Sequence, residues 1–273
     1  NNEESVITVL KEKKGKFITI TSMKGGVGKT ATTLLLAAVY KNLNKKVLLI
    51  DLDLYSGSIA FSLNADVKNS IYNVFDDITN NRFKGITNGE YITHYDDNID
   101  ILAAPKDPRQ AGKIDINSLE IIFNNLNSYY DVILIDTNHI LDAHNMIAFE
   151  YSDKLVNVFT NDAIDLKGTK TFISICKNVG VDNLTLVLNN ALDDRKKYFS
   201  TYDIKGIIKA NIDYIIPSGA YIKNYDSYIM DGSLIKILTR LKTTSKRSYK
   251  EVEKLALKLL EISKKGDGDD EEK

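Results

Sequence analysis

The sequence predicts an α/β fold: a doubly wound, mostly parallel sheet of about seven strands with helices on both faces. Three observations predict it. Short, β-branched apolar runs alternate with longer helix-forming stretches. The apolar runs are continuous rather than alternating, as strands buried on both faces require. A glycine-rich turn joins the first apolar run to the first helical stretch, the strand–loop–helix order that a phosphate-binding loop needs.

The elements follow in order. Residues 1–15 are polar apart from Val6-Ile-Thr-Val-Leu10 and read as a linker or short edge segment. Strands are expected at 16–22, 47–50, 99–103, 132–135, 154–159, 184–188 and 214–216. Helices are expected at 29–43, 71–78, 116–126, 144–151, 165–178 and 249–263. In the last of these, Val252, Leu255, Leu259 and Ile262 recur at helical spacing and are expected to pack on the sheet. Residues 16–263 are expected to form one domain, since 273 residues suffice for a large α/β unit with a well-buried core. Residues 264–273 form an acidic tail expected to be disordered. The chain begins at Asn1 rather than Met, so further sequence is expected before it.

Composition narrows the function. Lys+Arg number 36 against 37 Asp+Glu, so no global charge drives binding to nucleic acid. The single cysteine, Cys176, cannot build a disulfide framework or an iron–sulfur centre, and it points to a reducing compartment. Cys176 closes an apolar run from Thr171 and reads as a core thiol. No run approaches the roughly 18–20 apolar residues of a membrane span, and no signal peptide is visible. The expected location is the cytoplasm, with recruitment to a pole or to the inner membrane face left to partners.

The turn itself reads Lys24-Gly25-Gly26-Val27-Gly28-Lys29-Thr30. Glycines let backbone N–H groups crowd around an anion, and the helix behind turns its positive end to the same point. Lys29 adds a full charge for the β- and γ-phosphates, and the Thr30 hydroxyl is placed to ligate Mg²⁺. This makes the fold a P-loop NTPase with ATP or ADP and Mg²⁺ as cofactors. The first glycine of the common G-x-x-x-x-G-K-[ST] pattern is replaced by Met23. Lys24, at the mouth of the loop, is poorly placed to reach its own phosphates but can reach a neighbour's.

Three carboxylates follow strand ends. Asp51 and Asp53 come after Val47-Leu-Leu-Ile50, and Asp136 after Val132-Ile-Leu-Ile135. A rigid strand that ends in Asp delivers a carboxylate beside a phosphate-bridging Mg²⁺. Asp136 takes that part, through a coordinated water. One member of the Asp51/Asp53 pair can orient the attacking water while the other senses the γ-phosphate or metal. Each of the three could instead cap the next turn. His139 and His144 alone are too few for a further metal site.

The loop with Lys24 resembles the deviant Walker A of the ParA/MinD superfamily, in which that lysine acts across an ATP-sandwiched dimer. Residues 47–63 resemble the Walker A′ segment of the same superfamily. The Asp51-Leu-Asp53-Leu-x-x-Gly57 flavour, with 101–108 and 130–137, is similar to the CpaE/TadZ branch, the localisation ATPases of tight-adherence pilus systems. The likeness runs from about residue 16 to residue 262. It implies a trans-acting Lys24, and phosphate and Mg²⁺ contacts from Gly26, Gly28, Lys29, Thr30 and Ala31. Asp53 would position the water with Asp51 in support, and Asp136 would be the Walker B acid. Asn189 matches the asparagine that reads the adenine edge, with a turn residue ending a strand as the lesser alternative. Pro217 matches a segment that packs on the base. After Asp136-Thr137 the family usually has proline or glycine, whereas this chain has Asn138-His139-Ile140, which puts fast hydrolysis in doubt.

The implied partners are a second copy of the chain and a protein of the pilus or secretion machinery. Residues 236–250 also carry Lys236, Arg240, Lys242, Lys246, Arg247 and Lys250 with no acid between them. That stretch could meet DNA or an anionic membrane, or be a solvated helix–loop–helix face. The acidic tail disfavours lipid. The competing functions are a partition or septum-placement ATPase, a scaffold that barely hydrolyses ATP, and a bacterial tyrosine kinase. Against the kinase, Tyr55 stands where that family usually has arginine, and no tyrosine follows Tyr249.

Overall fold

The computed structural model describes residues 15–86, 91–126, 129–192 and 198–261. Residues 1–14 of the expected leading segment (1–15) and the acidic tail (264–273) lie outside the described residues, as does Ile262. In chain order the elements are β1 (Lys16–Thr21), α1 (Lys29–Asn42), β2 (Val47–Leu52), α2 (Ile59–Ser62), α3 (Ile71–Thr79), β3 (Thr93–His94), β4 (Ile99–Leu102), α4 (Pro108–Ala111) and α5 (Ile116–Asn124). They continue with β5 (Val132–Thr137), α6 (Ala143–Tyr151), β6 (Lys154–Phe159), α7 (Ala163–Asn178), β7 (Leu184–Asn189), α8 (Thr201–Ile208), β8 (Tyr214–Ile216), α9 (Tyr225–Met230), α10 (Leu234–Thr244) and α11 (Lys246–Leu260). A 3-10 turn, Ser218–Ala220, follows β8.

The strands form one sheet in the order β3-β4-β2-β5-β1-β6-β7-β8. Every pairing is parallel except that of β3 with β4. All seven expected strands are present, and β3 is the eighth. Two residues at an antiparallel edge are too short to leave a periodic signal. The first strand sits near the centre, between β5 and β6, so the loop after β1 opens where the winding reverses. In open α/β sheets that is where ligands bind.

The alternation along each strand feeds two cores. Val47 and Leu49 of β2 join Val132 and Leu134 of β5 in the core beneath α1, α10 and α11. Leu48, Ile50 and Leu52 join Ile133 and Ile135 in the opposite core beneath α3, α5 and α6. Smaller clusters lie beneath α7 and α8, where Cys176 packs with Leu155 and Phe172. Burial pushes its thiol up to about 11, as expected of a core residue.

Helix starts are set by side-chain caps: Ser70, Asp107, Asp115, Asp142, Asp162 and Ser200 each accept a backbone N–H of the turn they open. The six expected helices are present with end shifts of a few residues. The expected start of the last one at 249 moves to Lys246, directly behind α10. The short helices α2, α4, α8 and α9 were not expected, being too short to show a period, whereas α10, with buried Leu234, Ile235, Leu238 and Leu241 at helical spacing, is the first helix of the helix–loop–helix reading of 236–250. Val252, Leu255 and Leu259 are buried against α1 and α10, the packing anticipated for the last helix.

Tyr40 is fully buried, and its hydroxyl donates to the Ala256 carbonyl at 2.8 Å, tying α1 to α11. Tyr40→Phe is expected to lower unfolding free energy by about 1 kcal/mol, the net worth of one such bond. Leu255→Ala is expected to cost about 2–5 kcal/mol through the cavity left behind. Urea unfolding of both variants checks the order; a larger loss for Tyr40→Phe would contradict it.

Candidate functional site

The 22–30 loop leaves β1 and turns into α1. Gly26 and Gly28 adopt φ of +74° and +89°, a left-handed conformation that side chains resist. A Cβ on Gly28 would lie 2.6 Å from Asn189 Nδ2, so the position is closed to side chains by space as well. Alternation of left- and right-handed residues turns successive N–H groups into one concavity, and the positive end of the 14-residue α1 points into it.

Lys29 lies inside this concavity. Its Nζ donates to Ser22 Oγ at 3.0 Å, and Ser22 Oγ donates to the Lys24 carbonyl at 2.8 Å. Burial lowers the Lys29 ammonium's pKa, opposed by the carboxylates of Asp136, Asp53 and Asp165. Three acids thus lie close enough to hold its charge.

Lys24 points away from the loop. Its Nζ forms an ion pair with Asp162 Oδ1 at 2.9 Å. Asp162 is the cap of α7, so this pair joins the loop mouth to the helix after β6. The lysine holds the Asp162 carboxyl below its ordinary range, assisted by the Asp165 and Ile164 amides. Met23 packs beside it, with its Cβ 3.0 Å from where a Cβ on Gly168 of α7 would stand. A side chain at position 23 therefore docks onto α7.

The metal side is built from neighbouring strands. Asp51 and Asp136 are direct register partners in the β2–β5 ladder. Each follows the residues whose side chains face α1, so both carboxylates emerge on that side. Thr30 Oγ1 donates to Asp136 Oδ2 at 2.6 Å, and Thr33 Oγ1 to Asp136 Oδ1 at 3.2 Å. Ser58 Oγ donates to Thr30 Oγ1 at 3.3 Å. Asp51 accepts the backbone N–H groups of Asp53 at 3.2 Å and Ile59 at 3.0 Å.

Both acids are 1 % exposed. Burial and the Asp136 charge push Asp51 up to about 8. Burial pushes Asp136 up to about 6 against the pull of Thr30, Lys29 and Thr33. Two adjacent buried carboxylates that resist ionisation, with two hydroxyls beside them, form a hard-oxygen donor set of the kind Mg²⁺ takes. The residues present therefore fit the expected metal: Thr30 from the helix and Asp136 from the strand would hold it, with Asp51 alongside. Bound there, Mg²⁺ would supply charge stabilisation to the phosphates. Asp53, whose backbone N–H donates to Asp51, acts electrostatically on both Lys29 and Asp136.

The segment after Asp136 is tied down. Asn138 Oδ1 accepts from Ile140 N at 2.7 Å and Asn145 Nδ2 at 2.9 Å, while its amide donates to Asp142 Oδ2 at 3.2 Å. His139 is exposed, with its ring 3.8 Å from where a Cβ on Gly25 would stand. His144 Nε2 lies 2.6 Å from the Ile114 carbonyl.

Beyond the phosphate concavity a cavity of about 660 Å³ follows the flank of α1, within the usual range of ligand sites. Asn189, at the end of β7, lines it. Asn189 Nδ2 donates to the Val27 carbonyl at 3.0 Å and Oδ1 accepts from Ala191 N at 2.9 Å, so Asn189 also braces the loop. Its second amide hydrogen remains for a ligand. Pro217 is not part of the lining, although Ile216 before it and Ala220 after it are. The structure thus brings Thr30, Asp51 and Asp136 together beside the loop, sets Ala31 and Asn189 on the adjoining cavity, and leaves Pro217 outside its lining.

Sequence reasoning missed Ser22, Thr33, Ser58 and Asp162. The three hydroxyls carry no motif. Asp162 looks like the other aspartate caps, and only the order of strands shows that it stands opposite Lys24. The six cations of 236–250 lie on α10 and α11, all exposed and none ion-paired among the described residues.

Comparison with known proteins bears on this arrangement. A family model described as an AAA domain matches residues 15–193. The virulence plasmid ParA family protein pGP5-D of Chlamydia trachomatis is 30 % identical over 66 % of this chain and 71 % of its own. The ParA family ATPase of Chlorobium tepidum superposes with a TM-score of 0.74 at 19 % identity, covering 89 % of this chain and 99 % of its own. The septum site-determining protein MinD of Pyrococcus horikoshii, solved with Mg-ADP, gives 0.69 at 23 % identity over 90 % and 96 %. The family model over residues 15–193 and the likeness to pGP5-D mean that this chain belongs to the ParA/MinD superfamily of P-loop ATPases.

Proposed function

We propose that this chain is a slow Mg–ATP-driven switch that pairs with a second copy of itself across bound ATP and, so paired, positions a protein machine. The observation that carries the reading is the division of labour between the two lysines. Lys29 faces its own phosphate concavity, whereas Lys24 stands outside it, held by a half-exposed carboxylate that can let it go. A lysine so placed can serve a partner's phosphates but not its own. Likeness of residues 47–63, 101–108 and 130–137 to the CpaE/TadZ branch makes pilus assembly the favoured machine.

Lys24 cannot pair with Asp162 and with a partner's nucleotide at once. Lys24→Ala is therefore expected to abolish Mg–ATP-dependent dimerisation in sedimentation experiments. Asp162→Asn keeps a side-chain cap on α7 but frees the lysine. It is expected to tighten the dimer by up to about fivefold, as removal of an exposed competing ion pair would. A monomer at all ATP concentrations would sink the reading, and weaker dimerisation of Asp162→Asn would reverse the role given to that pair.

Hydrolysis follows from Asp53 beside the metal acids. Asp53→Ala is expected to slow single-turnover hydrolysis by about tenfold or more with little change in ATP affinity, because its part is to position water. Equal rates would favour a scaffold signalling by occupancy alone, a role consistent with the tied loop at Asn138.

A second reading, DNA partition, is favoured by the exposed cations on α10 and α11. If all six meet phosphates, log affinity for non-specific duplex should fall with log salt at a slope of about −5. Arg240→Ala with Arg247→Ala should flatten it by about 2 while leaving ATP-dependent dimerisation intact. Fluorescence anisotropy across a salt series measures both; no binding at low salt would leave the positioning of a protein machine as the sole reading.

A further inference from the structure

Lys29 and the loop amides serve the phosphate concavity, but the segment after β5 brings to it a side chain with no part assigned. Two contacts lay that segment along the loop. At the loop's far end, Thr30 Oγ1 donates to Asp136 Oδ2 at 2.6 Å. At its near end, the Nδ1–Cε1 edge of His139 lies 3.8 Å from where a Cβ on Gly25 would stand, and nothing else comes within 4 Å of that point. Residues 136–139 therefore span the loop from its metal end to its mouth.

The backbone of this span is fixed. Thr137 Oγ1 donates to the Ile20 carbonyl at 2.9 Å. Asn138 Oδ1 accepts from Ile140 N at 2.7 Å, which closes a side-chain turn around His139, and Asn145 and Asp142 hold Asn138 in place. Asn138 is buried and spent on these bonds. The imidazole of His139 is the opposite case: it is exposed, and it makes no hydrogen bond or ion pair among the described residues. A clamped backbone thus carries a free ring donor to the edge of an anion site, the arrangement of a preorganised contact.

We propose that His139 donates a hydrogen bond to the terminal phosphate of the ATP bound in its own chain, so that the site prefers a nucleoside triphosphate to a diphosphate. The proposal rests on the ATP-binding reading above. The cavity that would take the nucleoside is lined by Ala31 and Asn189, and Asn189 is bonded to the Val27 carbonyl at 3.0 Å. The nucleoside end thus lies on the 27–31 side, and the phosphate farthest from it lies toward Gly25, where His139 arrives. A neutral imidazole has one N–H and a protonated one has two, so either form can donate. A diphosphate stops short of this point and leaves the ring in solvent. Lys24 does not compete for the same place, since its ammonium is turned to Asp162 at 2.9 Å. Proline or glycine, usual in the family after Asp136-Thr137, has no side-chain donor with which to make this contact.

Calorimetric titration with Mg–ADP and with the non-hydrolysable Mg–AMPPNP tests this in wild type, His139→Ala and His139→Gln. Wild type is expected to bind AMPPNP the more tightly. His139→Ala is expected to lose about tenfold or more in AMPPNP affinity, as loss of a hydrogen bond to a charged group would, with ADP affinity changed by less than about twofold. His139→Gln keeps a side-chain N–H and should recover part of the loss. The imidazole nitrogen resonances give a second readout, since the chain has three histidines and His139→Ala identifies the signal. That signal should move with AMPPNP and stay with ADP. Lys24→Ala, expected to remain monomeric, should show the same dependence on His139; its disappearance there would hand the ring to a partner's nucleotide and overturn the proposal. Equal losses for both nucleotides in His139→Ala would make the histidine structural, and a gain for AMPPNP would make it a cover over the mouth. Either result overturns the proposal and leaves the ATPase reading standing. Failure of wild type to bind either nucleotide would remove that reading as well.

Discussion

The hydrogen bonds from Thr30 and Thr33 to Asp136 are what the rest of the site depends on. A carboxylate at the buried end of a central strand costs several kcal/mol to keep charged unless its oxygens are met. The first turn of α1 meets both of them. The same contact fixes the start of α1 against the end of β5, and with it the angle at which the loop leaves β1. Asp51, one strand over, has only backbone amides and lies beside a like charge, so it is the harder of the two to ionise. The pair therefore resists carrying two charges at once. A divalent cation arriving with the nucleotide would favour the ionised form of both acids.

Much of this was legible in the sequence. The loop was plain because its glycines, lysine and threonine hold a fixed spacing that few other structures need. Asp136 and Asp51 were plain because each ends a run of apolar residues, and an apolar run of that length in an α/β chain is a strand. The register that sets them side by side was not legible. β5 lies between β1 and β2 although the chain reaches it long after both. Ser58 was hidden because it opens a four-residue helix too short to show a period.

Met23 shows how a departure from a motif can be read only in three dimensions. In sequence it is a missing glycine. In the fold it is the residue by which the loop leans on α7, and that lean brings Lys24 within reach of the α7 cap. Position 23 and the ion pair next to it are then one arrangement. The loop does not merely tolerate a side chain there; it uses it to set the resting direction of the neighbouring lysine.

The placement of Asp51 and Asp136 on the α1 side of the sheet has a wider consequence. Which face a strand residue occupies is decided by counting in twos, and the same count decides which apolar side chains enter which core. Core composition and metal chemistry are therefore spelled in a single alternation. Insertion of one residue within β5 would send Asp136 among the leucines and isoleucines of the opposite layer and deliver an apolar side chain to the phosphates. Such an error would be removed by misfolding before any loss of activity could be felt. The sheet in this sense proofreads its own metal-side acids.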